Sequence, residues 1–148
     1  MADIERGKET VRRVIFDGIA QGRTDVVDEC LAPNAVDDHH PEVGDYRTHL
    51  KEVARGLHTA FPDLKPEITH LVGEGDTIAF RVILRGTHDG PLQMPGMPQP
   101  LPATGRQVQL EQFHIITVDD TGRGVNHWAA VGDDDLRRQL APAQRGAA

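Results

Sequence analysis

The chain has 148 residues, which suits one domain of about 100–200 residues and leaves no room for a second core. Sixteen basic against twenty-three acidic side chains give a net charge of −7, which argues against a nucleic-acid partner, because phosphate binding needs a concentrated basic surface. With 38% hydrophobic residues and no run near the ~18 apolar residues of a membrane span, the composition fits a soluble protein without a membrane partner.

Met1–Lys8 lacks the basic start and apolar centre of a secretory signal, so a cytoplasmic location is expected. The one cysteine, Cys30, has no partner for an internal disulfide and reads as a small buried hydrophobe. Val11, Val14, Ile15 and Ile19 form one stripe of an amphipathic helix ending at Gly22. A short second helix, capped by Thr24 or Asp25, buries Val26, Val27, Cys30 and Leu31 and stops at Pro33. Asn34 to Pro41 is too short for another helix and is expected to be a small strand running into a loop. Asp45 caps a third helix with Tyr46, Leu50, Val53, Ala54, Leu57 and Phe61 at helical spacing. From Pro66 the period becomes two: Ile68, His70 and Val72 alternate with polar residues up to a hairpin turn at Gly73–Asp76. In the strand that follows, Ile78, Phe80, Val82 and Leu84 share a face with Gly86 and His88, and Arg81 and Arg85 lie opposite.

Asp89–Ala103 holds five of the ten prolines and cannot pair as a regular strand, since proline donates no ladder hydrogen bond. Two readings stay open: a lid that lays Leu92, Met94, Met97 and Leu101 over a hydrophobic mouth, or a loop packed on the protein's own surface or a partner subunit. Gln107–Val131 reads as two strands broken by Asp119-Asp120-Thr121-Gly122. One face of the first carries Val108, Leu110, Gln112, His114, Ile116 and Val118, with Phe113 and Ile115 opposite. The second strand puts Val125, His127, Ala129 and Val131 on one face and Asn126, Trp128 and Ala130 on the other. If the histidines share a face, both look into one apolar space, the usual construction of a small-molecule pocket. Asp133-Asp134-Asp135 can cap a last helix through Leu136 and Leu140, and residues 141–148 form a tail with little to pack against. Helices followed by antiparallel strands make an α+β pattern.

Phe61-Pro62-Asp63-Leu64, Gly73-Glu74-Gly75-Asp76, Gly86-Thr87-His88-Asp89-Gly90, Thr104-Gly105-Arg106, His127-Trp128, and Leu136 with Gln139-Leu140 resemble, in order and spacing, the SnoaL-like polyketide cyclases of the nuclear transport factor 2-like superfamily. The resemblance covers nearly the whole chain except the longer proline loop. It implies a strongly curved antiparallel sheet wrapped into a cone-shaped pocket closed by the helices, and a homodimer through the outer sheet face, where Phe113, Ile115 and Trp128 stand. It further implies ring closure of a polyketide-type intermediate without cofactor. The family's general acid/base is an aspartate directly after the His-Trp pair, aided by a histidine on the preceding strand. Carried over, that histidine is His114, and the aspartate position is Ala129, which cannot move a proton.

His114 therefore has the first claim to catalysis, against a core histidine satisfied by Gln112 or water. His127 belongs to the His-Trp signature, which can equally be structural. Asp38 with His39 could supply the proton transfer that Ala129 cannot, the resemblance placing an aspartate–histidine element at the pocket border; the alternative is a turn whose side chains bond their own backbone. A metal at Asp38, His39 and His40 is disfavoured, because neighbours in an extended segment point to opposite faces. His88, at the base of the proline loop, either reaches the pocket mouth or binds solvent. Ligand contacts are expected from His88, Gln112, Ala129, Leu110, Phe80, Leu92, Met94 and Met97. Arg81, Arg85 and Glu111 read as ion pairs on the opposite face. Two functions compete: a cofactor-free cyclase or isomerase for a hydrophobic, carbonyl-bearing small molecule, and a carrier for such a ligand without turnover. A partner-binding module built on the outer sheet is the third.

Overall fold

The computed structural model describes residues 2–38 and 40–141. Helix α1 (Ile4–Arg13) opens on the Asp3 side chain, which accepts the Arg6 N–H, and continues into a π-helical turn, Val14–Ile19. Then follow α2 (Thr24–Cys30), β1 (Leu31–Asp37), a 3₁₀ turn (Pro41–Val43) and α3 (Tyr46–Ala60). Strands β2 (Lys65–Glu74), β3 (Thr77–Thr87), β4 (Gln107–Val118) and β5 (Gly124–Ala130) lead to α4 (Asp133–Leu140). The strands make one curved, unclosed sheet in the order β1-β5-β4-β3-β2. This is the expected mixed α+β architecture, with one difference: β1 runs parallel to β5, so the sheet is antiparallel only from β5 to β2.

Several boundaries move for local reasons. Leu31 is extended (φ −108°, ψ 142°), so it opens β1 instead of closing α2, and Pro33 lies inside a strand rather than after a helix. An edge strand tolerates that proline because only one side of it is paired. A bulge between Ile68 and His70 breaks the alternation of β2, leaving Ile68 half-buried and Val72 60% exposed. A second irregularity in β5 brings Gly124 opposite Val118 and Asn126 opposite Thr117, which removes Val125 from the predicted alternation. Gly132, not the aspartate run, stands at the N-cap of α4.

The core lies between the inner sheet face and the helices. Ile78, Phe80, Val82 and Leu84 of β3 and Val108 and Leu110 of β4 pack against Val11, Ile15 and Ile19, and against Ala54, Leu57 and Phe61 of α3 and its end. Beyond its pairing with β5, β4 leaves an open edge, and Gln139 of α4 fills it like a short strand. Its side chain accepts the Gln109 N–H at 2.9 Å and donates to the Gln109 carbonyl at 2.8 Å. Arg106 in turn donates to the Gln139 and Ala141 carbonyls at the α4 C-terminus.

The proline-rich loop is tied down at both ends. His88 and Arg106 continue the ladder (His88 N–H to Arg106 O, 2.8 Å), and Leu92 and Leu101 exchange two 2.9 Å backbone bonds. It presses onto α3 so closely that a Cβ on Gly56 would lie 2.5 Å from the Gln93 oxygen, and one on Gly90 only 2.0 Å from the Thr59 oxygen. Gly90→Ala should therefore destabilise the fold by about 2 kcal/mol, within the range of overpacked sites. Urea denaturation checks this; a change under a few tenths of a kcal/mol would contradict the close contact.

Candidate active site

The helices and sheet enclose a cavity of about 500 Å³. Val11, Val14, Ile15 and Ile19 line one side, and Leu50, Val53 and Leu57 of α3 another. The proline loop contributes Leu92, Met94, Met97 and Leu101, and α4 adds Leu136 and Leu140. Phe80, Leu84, Leu110, Gln112, His114 and Ile116 face it from the sheet, with His127 beside them on β5. The loop thus lines the cavity while packing on its own protein, so the two sequence readings of it describe one arrangement.

On this apolar wall the polar groups form a chain. His127 Nε2 lies 2.9 Å from His114 Nδ1, and His114 Nε2 lies 3.0 Å from Gln112 Oε1. At the other end His127 Nδ1 meets the Asp37 carboxylate at 3.3 Å. Asp37 is 4% exposed, and its second oxygen accepts the His40 N–H at 3.2 Å. Aromatic rings hold both imidazoles: Phe80 stacks on His114 at 4.8 Å and 11°, and Tyr46 on His127 at 5.2 Å and 17°.

The aspartate beside the histidines is Asp37, not the predicted Asp38. In the parallel register Asp37 lies opposite His127 and Val36 opposite Asn126, so alternation points Asp37 inward and Val36 out. Asp38, past the strand end, is exposed and accepts from Asn126 Nδ2 at 2.6 Å. His39 lies outside the described residues. Among those described, no three His, Cys, Asp or Glu side chains come together to hold a metal ion. His88 is also away from the cavity: it is fully buried, bonded through Nδ1 to the Thr104 hydroxyl at 2.9 Å and packed against Phe61 at 5.5 Å, so it anchors the base of the loop. Ala129 pairs with His114 in the β4–β5 register but is not among the residues lining the cavity. On the opposite face Arg81 bonds Glu111 and Arg85 bonds Glu67, as ion pairs there should.

Burial, helped by the positive charge His127 carries when protonated, pushes the His114 pKa down to about 3. Burial also pushes the thiol pKa of Cys30 and the phenol pKa of Tyr46 up, the latter reinforced by the Asp37 carboxylate. His114 is thus held neutral, and its two nitrogens must play donor and acceptor in turn. With Gln112 Oε1 accepting, His114 carries its proton on Nε2, His127 donates through Nε2 as well as through Nδ1, and Asp37 balances that imidazolium. Removing one proton and turning the Gln112 amide gives a second satisfied pattern, in which His114 Nε2 is bare.

A sequence model of the SnoaL-like polyketide cyclase family matches residues 9–140. The chain belongs to that family. The cyclase-family fold is also seen in its solved neighbours. TsrD from Streptomyces laurentii superimposes with a TM-score of 0.79 at 23% identity, over 95% of this chain and 98% of its own. IdmH from Streptomyces antibioticus, a candidate polyketide cyclase, gives 0.69 at 26% identity over 90% and 97%. A candidate polyketide cyclase from Acidithiobacillus ferrooxidans gives 0.72 at 25% identity over 95% and 97%. Curated protein sequences gave no significant match. Among the described residues, no helix of this family member is long and apolar enough to cross a membrane.

Sequence reasoning missed Asp37 and the stacking role of Tyr46. Alternation carried on from buried Ala35 would have pointed Asp37 inward, but its partner depended on the parallel pairing of β1. The depressed His114 pKa has a stability consequence. Between pH 6.5 and about 3 the unfolded chain binds a proton at His114 that the folded chain refuses. Stability from this group is complete above pH 6.5 and falls as the pH drops, by up to about 1.4 kcal/mol per pH unit. Urea denaturation across this range should show that slope reduced in His114→Gln; an unchanged slope would contradict a neutral buried ring.

Proposed function

We propose that the protein catalyses ring closure or isomerisation of a hydrophobic, carbonyl-bearing small molecule, a polyketide or related secondary-metabolite intermediate, by proton transfer without cofactor. The observation that supports it is the Asp37–His127–His114–Gln112 chain on one wall of an apolar cavity. An isolated His114, with its low pKa, would be a weak base. Coupled to His127, it need not keep the proton it takes.

With His114 Nε2 bare, that nitrogen removes the proton next to the substrate carbonyl, while Nδ1–H passes its own proton to His127 Nε2. Positive charge then rests on His127 against the Asp37 carboxylate, and the electron pair of the broken C–H bond becomes an enolate. Gln112, displaced from His114, donates its amide N–H to the enolate oxygen. In ring closure the enolate carbon attacks a second electrophilic carbon of the same molecule, and the oxygen formed takes the proton from His114 Nε2–H. In isomerisation the proton returns to another carbon. Either way His127 gives its proton back to His114 Nδ1 and the chain is reset. Holding both reacting ends in one apolar cavity adds the advantage of proximity.

The resemblance puts the family's acid/base aspartate at Ala129. In this reading Asp37, reaching the same histidine pair from the neighbouring strand, takes over its charge. Ala129 is also what favours the second reading, a carrier that binds such a ligand without turnover. The outer sheet face, where Phe113, Ile115 and Trp128 remain 48%, 42% and 40% exposed, is the surface we assign to a second copy in a homodimer.

Hydrogen–deuterium exchange next to the carbonyl of an alicyclic β-keto ester in D₂O, followed by mass spectrometry, tests the reading. Wild type should exceed the uncatalysed rate, His114→Ala should lose about 10²-fold or more, and Asp37→Asn roughly tenfold or more. Acceleration that survives both substitutions contradicts the proton chain, and ligand binding with no acceleration by wild type favours the carrier.

A further inference from the structure

The distribution of polar groups around the cavity restricts which molecule can occupy it. The hydrogen-bonding side chains that line the interior, Gln112, His114 and His127 of the sheet with Tyr46 and His49 of α3, gather at one end, where Tyr46 stacks on His127 and His49 on Tyr46. The Thr10 hydroxyl, also on the lining, donates to the Gly122 carbonyl at 2.7 Å, and the Asn126 side chain is engaged by Asp38 and by the His127 N–H. His40, Glu42 and Arg137 touch the cavity but stay exposed to solvent, so they belong to its rim. Away from that end the surface is aliphatic or thioether, from Val11, Ile15 and Ile19, from Leu50, Val53 and Leu57 of α3, and from the loop and α4.

Aromatic side chains are equally uneven. Of the four phenylalanines only Phe80 lines the cavity, and its ring is covered by His114. Tyr46 lines it too, with its ring against His127, whereas Trp128, Phe113 and Phe16 are exposed and Phe61 packs on His88. A molecule in the cavity therefore meets aromatic rings that are already stacked on imidazoles, and hydrogen-bond partners at one end only. A flat ring system with hydroxyl and quinone oxygens around its periphery would bury several of them against methyl groups, and each such group costs about 1–3 kcal/mol.

We infer that the occupant is a neutral, mostly hydrocarbon carbonyl compound, a reduced polyketide or terpenoid-like ketone with its oxygen atoms gathered at one end, and not a multiply hydroxylated aromatic. At the packing density of protein interiors the cavity holds about twenty non-hydrogen atoms. The inference rests on the acid/base reading only for the direction in which the carbonyl points. Leu110, Leu84, Met94 and Met97 then set specificity by offering no partner to an oxygen away from that end.

Three tricyclic ligands on one carbon skeleton separate the effects: perhydroanthracenone, anthrone and dihydroxyanthraquinone. Calorimetric titration of the intact protein gives their affinities, and the shift of the His114 ring proton in NMR spectra reports that each occupies this cavity. Both single-carbonyl ligands should bind and move the His114 signal, and dihydroxyanthraquinone should bind at least about tenfold more weakly. Equal or tighter binding of dihydroxyanthraquinone, or no binding of either single-carbonyl ligand, overturns the inference. Turnover is not read, so a wrong ligand ranking leaves the proton chain standing, and a wrong proton chain leaves the ranking standing.

Discussion

The site depends on one contact, the Asp37 carboxylate against His127 Nδ1 across the parallel pairing of β1 and β5. A carboxylate that is 4% exposed is costly unless paired, and His127 and the His40 N–H are among the groups that pair it. The pairing requires β1 to lie in one register, and two arginines hold it there. Arg47 of α3 donates to the Leu31 and Asp28 carbonyls, and Arg123, just before β5, donates to those of Asp28 and Glu29. Both sit where α2 ends and β1 begins, so the same charges satisfy the last carbonyls of the helix and set where the strand starts. A shift of one residue would turn Asp37 outward and Val36 toward the histidines.

The rest of the molecule supplies an apolar container for that chain. Glycine at 56 and 90 lets the proline loop lie against α3, and the His88–Thr104 contact pins its base, so Leu92, Met94, Met97 and Leu101 become wall. A low-dielectric wall keeps His114 neutral and strengthens the attraction between His127 and Asp37 when a proton arrives. Stability and chemistry make opposite demands here, because three polar side chains occupy positions that aliphatic ones would fill at no electrostatic cost. Phe80 and Tyr46 ease the conflict by covering the imidazole faces with apolar rings while leaving the ring nitrogens in line.

Much of this was legible in the residues. The period-two pattern of Gln107–Val118 placed Gln112 and His114 on one apolar face, and the Asp45 cap located α3. Other features depended on distances along the chain that periodicity does not carry. Asp37 and His127 are ninety positions apart and meet through a parallel pairing, which no short turn announces. His88 looked like a pocket residue because it continues the inner face of β3, yet the strand end tucks it behind the loop. The bulges in β2 and β5 reverse faces within a strand, and nothing in the composition of Ile68–Val72 or Gly124–His127 marks the extra residue. Asp38 stood out over Asp37 because it directly precedes His39 and the resemblance places an aspartate–histidine element at the pocket border.

Nitrogen-detected NMR of the two imidazole rings, from about pH 8 to about pH 5, tests the central claim most directly, because it reads which ring nitrogen carries each proton. His127 Nδ1 should stay protonated and His114 neutral throughout, with the signals of the two rings moving together. A His127 Nδ1 without a proton at neutral pH, or a His114 that becomes an imidazolium near pH 6.5, would contradict it.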